Sequence, residues 1–248
     1  MNVIYILWLR QLKRSARSKA RIIGSFAQPL LYLLAFGFGF GSIFQRAGQG
    51  NYIQFLAPGI ITMSILFTSI FAGIEVIWDR QFGFLKETLV APVPRILIMV
   101  GRTLGGATVA VLQGMVVLFI CLAVGFRTPS LPLLPLALGF MILTAVLFTA
   151  VGTALASVLP DFQGFQLVMN FLVMPIFFLS GALFPLNNVP RTMHILANLD
   201  PLSYGVDGLR FALTGETHFG IPLDLAILCG VTAAALAVGG YLFSRIQV

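Results

Sequence analysis

Charge is what this chain has least of: 9% of its 248 residues are Asp, Glu, Lys or Arg, against 58% hydrophobic. A soluble domain carries roughly 25% charged residues, so an ordinary water-facing surface is excluded and an integral membrane protein is implied. Histidine is scarcer still. His194 and His218 are separated surface candidates, with no aspartate- or histidine-rich cluster to make a metal site. No HExxH, GxSxG or DxxD pattern occurs, which argues against an intramembrane hydrolase or transferase. No GxxxxGK[ST] loop occurs either, so this chain is not expected to hydrolyse nucleotide by that route. The two cysteines, Cys121 and Cys229, sit inside apolar runs and read as free thiols rather than a disulfide. Residues 1–21 are too basic and too long for a signal peptide, and no small-residue cleavage site follows them.

The net charge of +7 is no nucleic-acid footprint, because the basic residues gather in the N-terminal tail and one internal loop. Six apolar runs, near 22–44, 53–78, 96–124, 132–158, 165–185 and 222–243, are each long enough to cross a bilayer. One side of these spans holds Arg10, Lys13, Arg14, Arg17, Lys19, Arg21, then Arg80, Lys86, Arg95 and Arg102, then Arg245. The other holds only Arg46, Arg127, Arg191 and Arg210, so both termini are expected in the cytoplasm. Trp78, Tyr52 and Tyr241 fall near span ends, where amphipathic rings prefer to sit.

Ahead of the first span, residues 2–20 read as an amphipathic helix. Ile4, Leu7, Trp8 and Leu12 share one face, and Arg10, Lys13, Arg14 and Arg17 the other. Such a helix is expected to lie along the anionic inner leaflet. Between spans two and three, Asp79–Arg95 carries charges of both signs, with Phe82, Phe84, Leu85 and Leu89 interleaved at helical spacing. Pro92 and Pro94 end any helix there. The segment either lies on lipid or docks a partner.

Gly37-Phe-Gly-Phe-Gly41 lies inside a span and reads as helix packing through small residues, not as a phosphate loop. Pro58-Gly59 and Pro175 are expected to kink or loosen spans two and five. From Asn187 to Gly220 two short helices are expected at the outer leaflet. Pro190 and Pro201 suit first helical positions, Asp200 a cap, Gly215 a stop, and Asp207 and Arg210 an i,i+3 pair. The mid-membrane region is read as devoid of charge: Glu75, near the inner boundary, is expected to reach water and Arg102 to snorkel. A span without a midplane charge has no site for a coupling ion. A transporter lacking both ion site and nucleotide site must borrow its energy, which makes the Asp79–Arg95 loop the natural docking point.

The chain resembles the membrane subunit of type 2 ABC exporters, the ABC-2 permease family, nearest the multidrug or daunorubicin-resistance type. The resemblance rests on Phe55-Leu-Ala-Pro-Gly59, on Gly83-Phe-Leu-Lys-Glu-Thr-Leu-Val-Ala-Pro-Val-Pro-Arg95 and on Gly101-Arg-Thr-Leu-Gly105. Later come Leu179-Ser-Gly-Ala-Leu-Phe-Pro185 and Leu199-Asp-Pro-Leu-Ser-Tyr-Gly-Val-Asp-Gly-Leu-Arg210. Pro94, where a small hydroxyl residue is expected, and Asp200, where asparagine is common, depart from the pattern.

The resemblance implies an all-α, six-span membrane protein with a cytoplasmic interface helix (1–21) and a transmembrane domain (22–248). It implies a coupling helix between spans two and three and short outer helices between spans five and six. Two permeases in the cell membrane would pair, as a homodimer here, with two cytoplasmic ABC ATPase subunits that bind ATP and Mg, while this chain would hold no cofactor. Phe82, Phe84, Leu85, Lys86 and Glu87 then become ATPase contacts, and Arg10, Lys13, Arg14 and Arg17 the interface helix's contacts. Pro185, Asp200, Pro201, Tyr204, Asp207 and Arg210 become outer-gate candidates. The implied function is export of an amphipathic, drug-like or lipid-linked molecule. Export of a lipo-oligosaccharide or polysaccharide, or a non-transporting scaffold that recruits a cytoplasmic partner, are the alternatives.

Overall fold

The computed structural model describes residues 3–46, 51–90, 93–128, 131–186 and 189–246, and no strand occurs among them. The helices are α1 (Val3–Arg17), α2 (Lys19–Arg46), α3 (Tyr52–Ala72), α4 (Ile74–Gln81), α5 (Phe84–Val90), α6 (Arg95–Val124) and α7 (Leu134–Val158). There follow α8 (Phe162–Val168), α9 (Met174–Leu179), α10 (Arg191–Leu199), α11 (Pro201–Thr214) and α12 (Ile221–Ser244). Six stretches are long and apolar enough to span: Phe26–Arg46, Tyr52–Gln81, Arg95–Val124, Leu134–Val158, Phe162–Leu179 and Ile221–Ser244. The protein is therefore a multi-pass, all-α membrane protein. Both chain ends meet at one face, since α1 lies along the first half of α6 while Arg95, at the start of α6, donates to the carbonyls of Ser244 and Ile246. We call this the near face.

The centre of the bundle is the α3–α4 rod, whose residues Leu56–Leu66 are all buried against α6, α7 and α11. Backbones approach closely there because side chains are missing where helices cross. A Cβ on Gly59 would collide with the Ala182 carbonyl oxygen, and one on Gly73 with that of Gly152. Pro58 is carried inside α3 without ending it. Pro175 has a different effect. Its ring would crowd the carbonyl four residues earlier, and residues Met169–Val173 widen into a π turn in which Met174 N–H bonds Met169 O. Span five then ends at Leu179, and Ser180–Phe184 turn beneath the far face rather than continue the helix to 185.

On the far face, α10 and α11 form a re-entrant pair. Gly205 meets Thr144 and Gly208 meets Phe140, so α11 runs antiparallel to α7 and is nearly all core. Asp200 caps α11 through Leu202 N–H, Pro201 occupies its first position, and Gly215 (φ 83°) ends it in the left-handed conformation. Pro190, expected at a first helical position, is instead the extended residue before α10. Of the three glycines in Gly37–Gly41, only Gly37 has a neighbour within 4 Å of its would-be Cβ, at Ile53; Gly39 and Gly41 face open space.

Candidate functional site

Two acids on α4 and two arginines on α1 face one another. Glu75 and Asp79 are one turn apart, as are Arg10 and Arg14, so the two helices present matching ladders of opposite charge. Arg10 donates to both Asp79 oxygens at 3.2 Å, and Arg14 to Asp79 at 3.4 Å and Glu75 at 3.5 Å. From α6, Arg102 donates to Asp79 Oδ2 at 2.6 Å. Glu75, Asp79 and Arg102 are 6%, 5% and 8% exposed. The expectation that Glu75 reaches water and Arg102 snorkels is thus corrected, because each is drawn inward by a counter-charge from another helix. The inner-leaflet expectation for α1 is corrected in the same way for Arg10 and Arg14; Lys13 and Arg17 remain exposed.

Two glycines bring α1 close enough for this clamp. A Cβ on Gly101 would lie 3.1 Å from Ile4 Cα, and one on Gly105 2.6 Å from Gln11 Cβ. Trp8 Nε1 donates to Thr108 Oγ1 at 3.0 Å, fixing the rotation of α1 on α6.

The loop expected to dock a partner divides its labour. Phe82 ends α4, Gly83 turns the chain at φ 78°, and α5 follows. Arg80 donates to the carbonyls of Ala156, Ser157 and Leu159, so it satisfies the C-terminus of α7 as Arg95 does that of α12. Asp79, Arg80 and Arg95 therefore serve the fold rather than a docking surface. Leu85, expected at the surface, is fully buried and anchors α5 to the bundle. Phe82 (81% exposed) and Phe84 (50%) project outward, with the Arg10 guanidinium 4.6 Å from the Phe84 ring. The side chains of Lys86 and Glu87, and the helix stop at Pro92, lie outside the described residues. Tyr5, Leu9, Lys13, Phe82 and Phe84 line a groove of about 670 Å³ beside the clamp.

Between α1, α2, α3 and α6 a second cavity of about 370 Å³ is lined by Met63, Phe67, Phe71, Trp78, Gln113 and Glu75 among others. Ser64 Oγ and Gln113 Nε2 line it and have no hydrogen-bond partner among the described residues.

The far-face candidates do not form one unit. Pro185, Asp207 and Arg210 line one far-face pocket, while Asp200 is buried where α11 begins. Burial pushes the Asp200 carboxyl up to about 7 despite the Leu202 and Ser203 donors. Tyr204 donates to Asn198 O and ties α11 to α10. Asp207 and Arg210 do not pair. Asp207 instead accepts from Thr217 Oγ1 and from the backbone N–H groups of His218 and Phe219, while Arg210 donates to Gly181 O. His194 and His218, separated in sequence, meet at Nε2–Nε2 3.3 Å; no cluster of three or more metal-ligating side chains forms among the described residues.

The ABC-2 type transporter family profile matches residues 2–214, from the interface helix through the end of α11. The chain belongs to the ABC-2 type transporter family. This ABC-2 chain is 31% identical over 229 residues to nodulation protein J of Rhizobium leguminosarum bv. trifolii, covering 91% of this chain and 84% of that one. It is 30% identical over 216 residues to the inner membrane transport permease YadH of Escherichia coli K12, covering 84% and 82%. It is 29% identical over 215 residues to the putative transport permease ycf38 of Cyanophora paradoxa, covering 84% and 73%. The family is one of transport permeases, which are not themselves catalytic.

Seen on this ABC-2 scaffold, Gly101-Arg-Thr-Leu-Gly105 supplies two helix-crossing glycines and the clamp arginine. The remaining surprise is Asp224, on the fourth residue of α12 and fully buried, with both carboxylate oxygens lacking a hydrogen-bond partner among the described residues. Its place in the first turn of a long apolar span was visible in the sequence. Its burial depends on packing against the other helices and was not.

Proposed function

We propose that this chain is the membrane half of an ATP-driven exporter that pairs with a second copy and with separate ABC ATPase subunits. The observation that carries this reading is a handle fixed to a clamp: Phe82 and Phe84 project beside α1 while Asp79, one turn away, is held by three arginines. A projecting apolar pair on a rigid base transmits force, whereas a helix lying on lipid needs no such anchorage. ATP and Mg would be bound by the ATPase, seated on the groove between α1 and α5. Arg10, Lys13, Arg14, Arg17 and Lys86 on the near face favour cytoplasmic termini. A second copy has an obvious place to pack. On α2, Gly39 and Gly41 are open and Leu31, Phe38 and Ile43 are exposed.

The passenger is an amphipathic, drug-like or lipid-linked molecule. The 370 Å³ cavity pairs aromatic and aliphatic walls with a few hydrogen-bonding groups, which suits an apolar body better than a hydrated sugar polymer. The test is co-purification with an ABC ATPase subunit co-expressed with this chain. Phe82→Ser/Phe84→Ser and Glu87→Lys should each insert in the membrane and lose the ATPase; full retention by both would sink the docking assignment. In a Cys229→Ala background, cysteine at Glu216 should label from outside intact cells and cysteine at Gln81 should not. The reverse pattern would overturn the orientation.

A further inference from the structure

The far-face pocket of about 580 Å³ lies where α2, α3 and α11 meet the turn into α12, and Phe44, Phe55, Ser180, Ser203, Arg210 and Thr217 contribute to its wall. Arg210 is only 8% exposed. Its Nη2 donates to Gly181 O at 2.8 Å and its guanidinium lies 4.2 Å from the centre of the Phe55 ring. Its Nε has no partner, and no carboxylate oxygen stands within 4.0 Å of it among the described residues. A guanidinium offers five donors, so most of this one is unspent. Burial pulls it down to about 10, which leaves it cationic at neutral pH. Asp207 and Glu216, both in the pocket lining, favour the cation through space but make no contact with it, so its free donors still favour an anion that can reach them.

The nearest internal acid is already engaged. Asp207 spends its oxygens on Thr217 Oγ1 (2.9 Å), His218 N (2.8 Å) and Phe219 N (2.8 Å), which close the α11–α12 turn. Glu216 lines the pocket but is exposed at its rim. The arginine is thus held in a fixed orientation by a carbonyl and a ring, with hydroxyl side chains beside it and an opening ahead.

We propose that this pocket is an anion site, built on Arg210, that takes a phosphate group. Planar guanidinium donors match phosphate oxygens, and the aromatic wall of Phe44 and Phe55 suits an apolar body attached to that phosphate. The phosphate could come from an amphiphile's headgroup or from the free ion. The site does not depend on the exporter reading, since binding is measured without an ATPase or transport.

The test uses the full chain in dodecyl maltoside, with thermal unfolding followed against dihexanoyl phosphatidic acid, dihexanoyl phosphatidylcholine and inorganic phosphate. Phosphatidic acid should raise the apparent Tm saturably and with salt sensitivity. Arg210→Gln should weaken its apparent Kd about tenfold or more, and Arg210→Lys less. Glu216→Gln, which removes a rim anion, should tighten it. Lys13→Gln/Arg17→Gln should leave this shift in place, separating the pocket from the basic near-face helix. If inorganic phosphate gives the same midpoint the ligand is the free ion; if only phosphatidic acid acts, it is a headgroup. Because Arg210→Gln is a core change that can unfold the chain, hydrogen exchange on the wild type locates the site independently. Phosphatidic acid should slow exchange in Glu216–Phe219 and in Ala182–Leu186. No saturable shift in the wild type, an equal shift with phosphatidylcholine, or protection confined to α1 would each overturn the proposal.

Discussion

Replacing Asp79 by asparagine keeps the shape of the side chain and removes its charge. The size of the effect follows from who is left behind. Arg10 and Arg14 side chains are 33% exposed, so water solvates them once Asp79 is neutral, and each lost pair is worth under about 1 kcal/mol. Arg102 is different. Its side chain is 9% exposed and Asp79 is its hydrogen-bonded partner at 2.6 Å, so breaking this pair strands a buried cation at a cost of about 3–5 kcal/mol. For a chain of this size that is a fall in apparent Tm of roughly 6–20 °C. Arg10→Gln, by contrast, should cost a few degrees at most. Asp79→Asn combined with Arg102→Met removes both charges and should recover most of the loss, as a buried pair replaced by apolar side chains commonly does. The assay is thermal unfolding of the four proteins in one detergent, with hydrogen exchange over residues 3–17 to report whether α1 stays seated. If Asp79→Asn is no more damaging than Arg10→Gln, or if the double variant is worse than Asp79→Asn alone, Arg102 is not the buried cation on which this arithmetic rests.

The seat of α1 gives a second expectation. Gly105→Leu places a side chain where Gln11 Cβ would be 2.6 Å from the new Cβ, so α1 should lift, at about 1–3 kcal/mol, with faster exchange in residues 3–17. Gly139→Leu, whose Cβ meets nothing within 4 Å, should change neither. A third concerns Asp200, raised by burial from 3.8 to about 7. A carboxyl raised in the fold stays protonated there while the unfolded chain ionises, so its stability contribution is full below pH 4 and declines until about pH 7. Asp200→Asn keeps the cap to Leu202 N–H without that penalty. Its Tm should exceed the wild type's by an amount that grows from pH 5 to pH 8, where the gap reaches roughly 2–4 kcal/mol. An equal gain at both pH values would show that ionisation is not the cause.

The spans and the far-face hairpin were legible because their signals are local. Hydrophobic length marks a span, and Asp200-Pro201 with Gly215 marks a helix by chemistry confined to its two ends. The clamp was not read, although a sign of it was present: Glu75/Asp79 and Arg10/Arg14 share the same four-residue spacing. Bilayer depth is a property of one helix at a time, whereas the α1 partner of each acid stands more than sixty positions away. Asp207 and Arg210 failed in the opposite direction. Their i,i+3 spacing permits a pair worth a few tenths of a kcal/mol, which three donors from the α11–α12 turn outbid for Asp207. Leu85 shows the same limit on an amphipathic helix, since periodicity marks an apolar face without saying whether a partner or the chain's own core covers it.

Both ends of the α3–α4 rod are held by groups that matter. At the near face Asp79 joins it to α1 and α6, and Arg80 joins it to the end of α7. At the far face Tyr52 donates to Leu183 O at 2.9 Å, and Phe55 carries the Arg210 guanidinium on its ring. Between these ends run 30 residues, about 45 Å of helix, with most side chains buried and Gly73 continuing the right-handed turn at φ −62°. Tight crossings at Gly59 and Gly73 oppose sliding of one helix past another, because any register shift drives a neighbour's backbone carbonyl into a side chain. A displacement imposed beside Phe82 and Phe84 therefore moves the rod as a body rather than bending it, and the first far-face groups it meets are the Leu183 carbonyl and Arg210. The near-face handle and the far-face pocket, separated by the full thickness of the bundle, are in this sense two ends of one element.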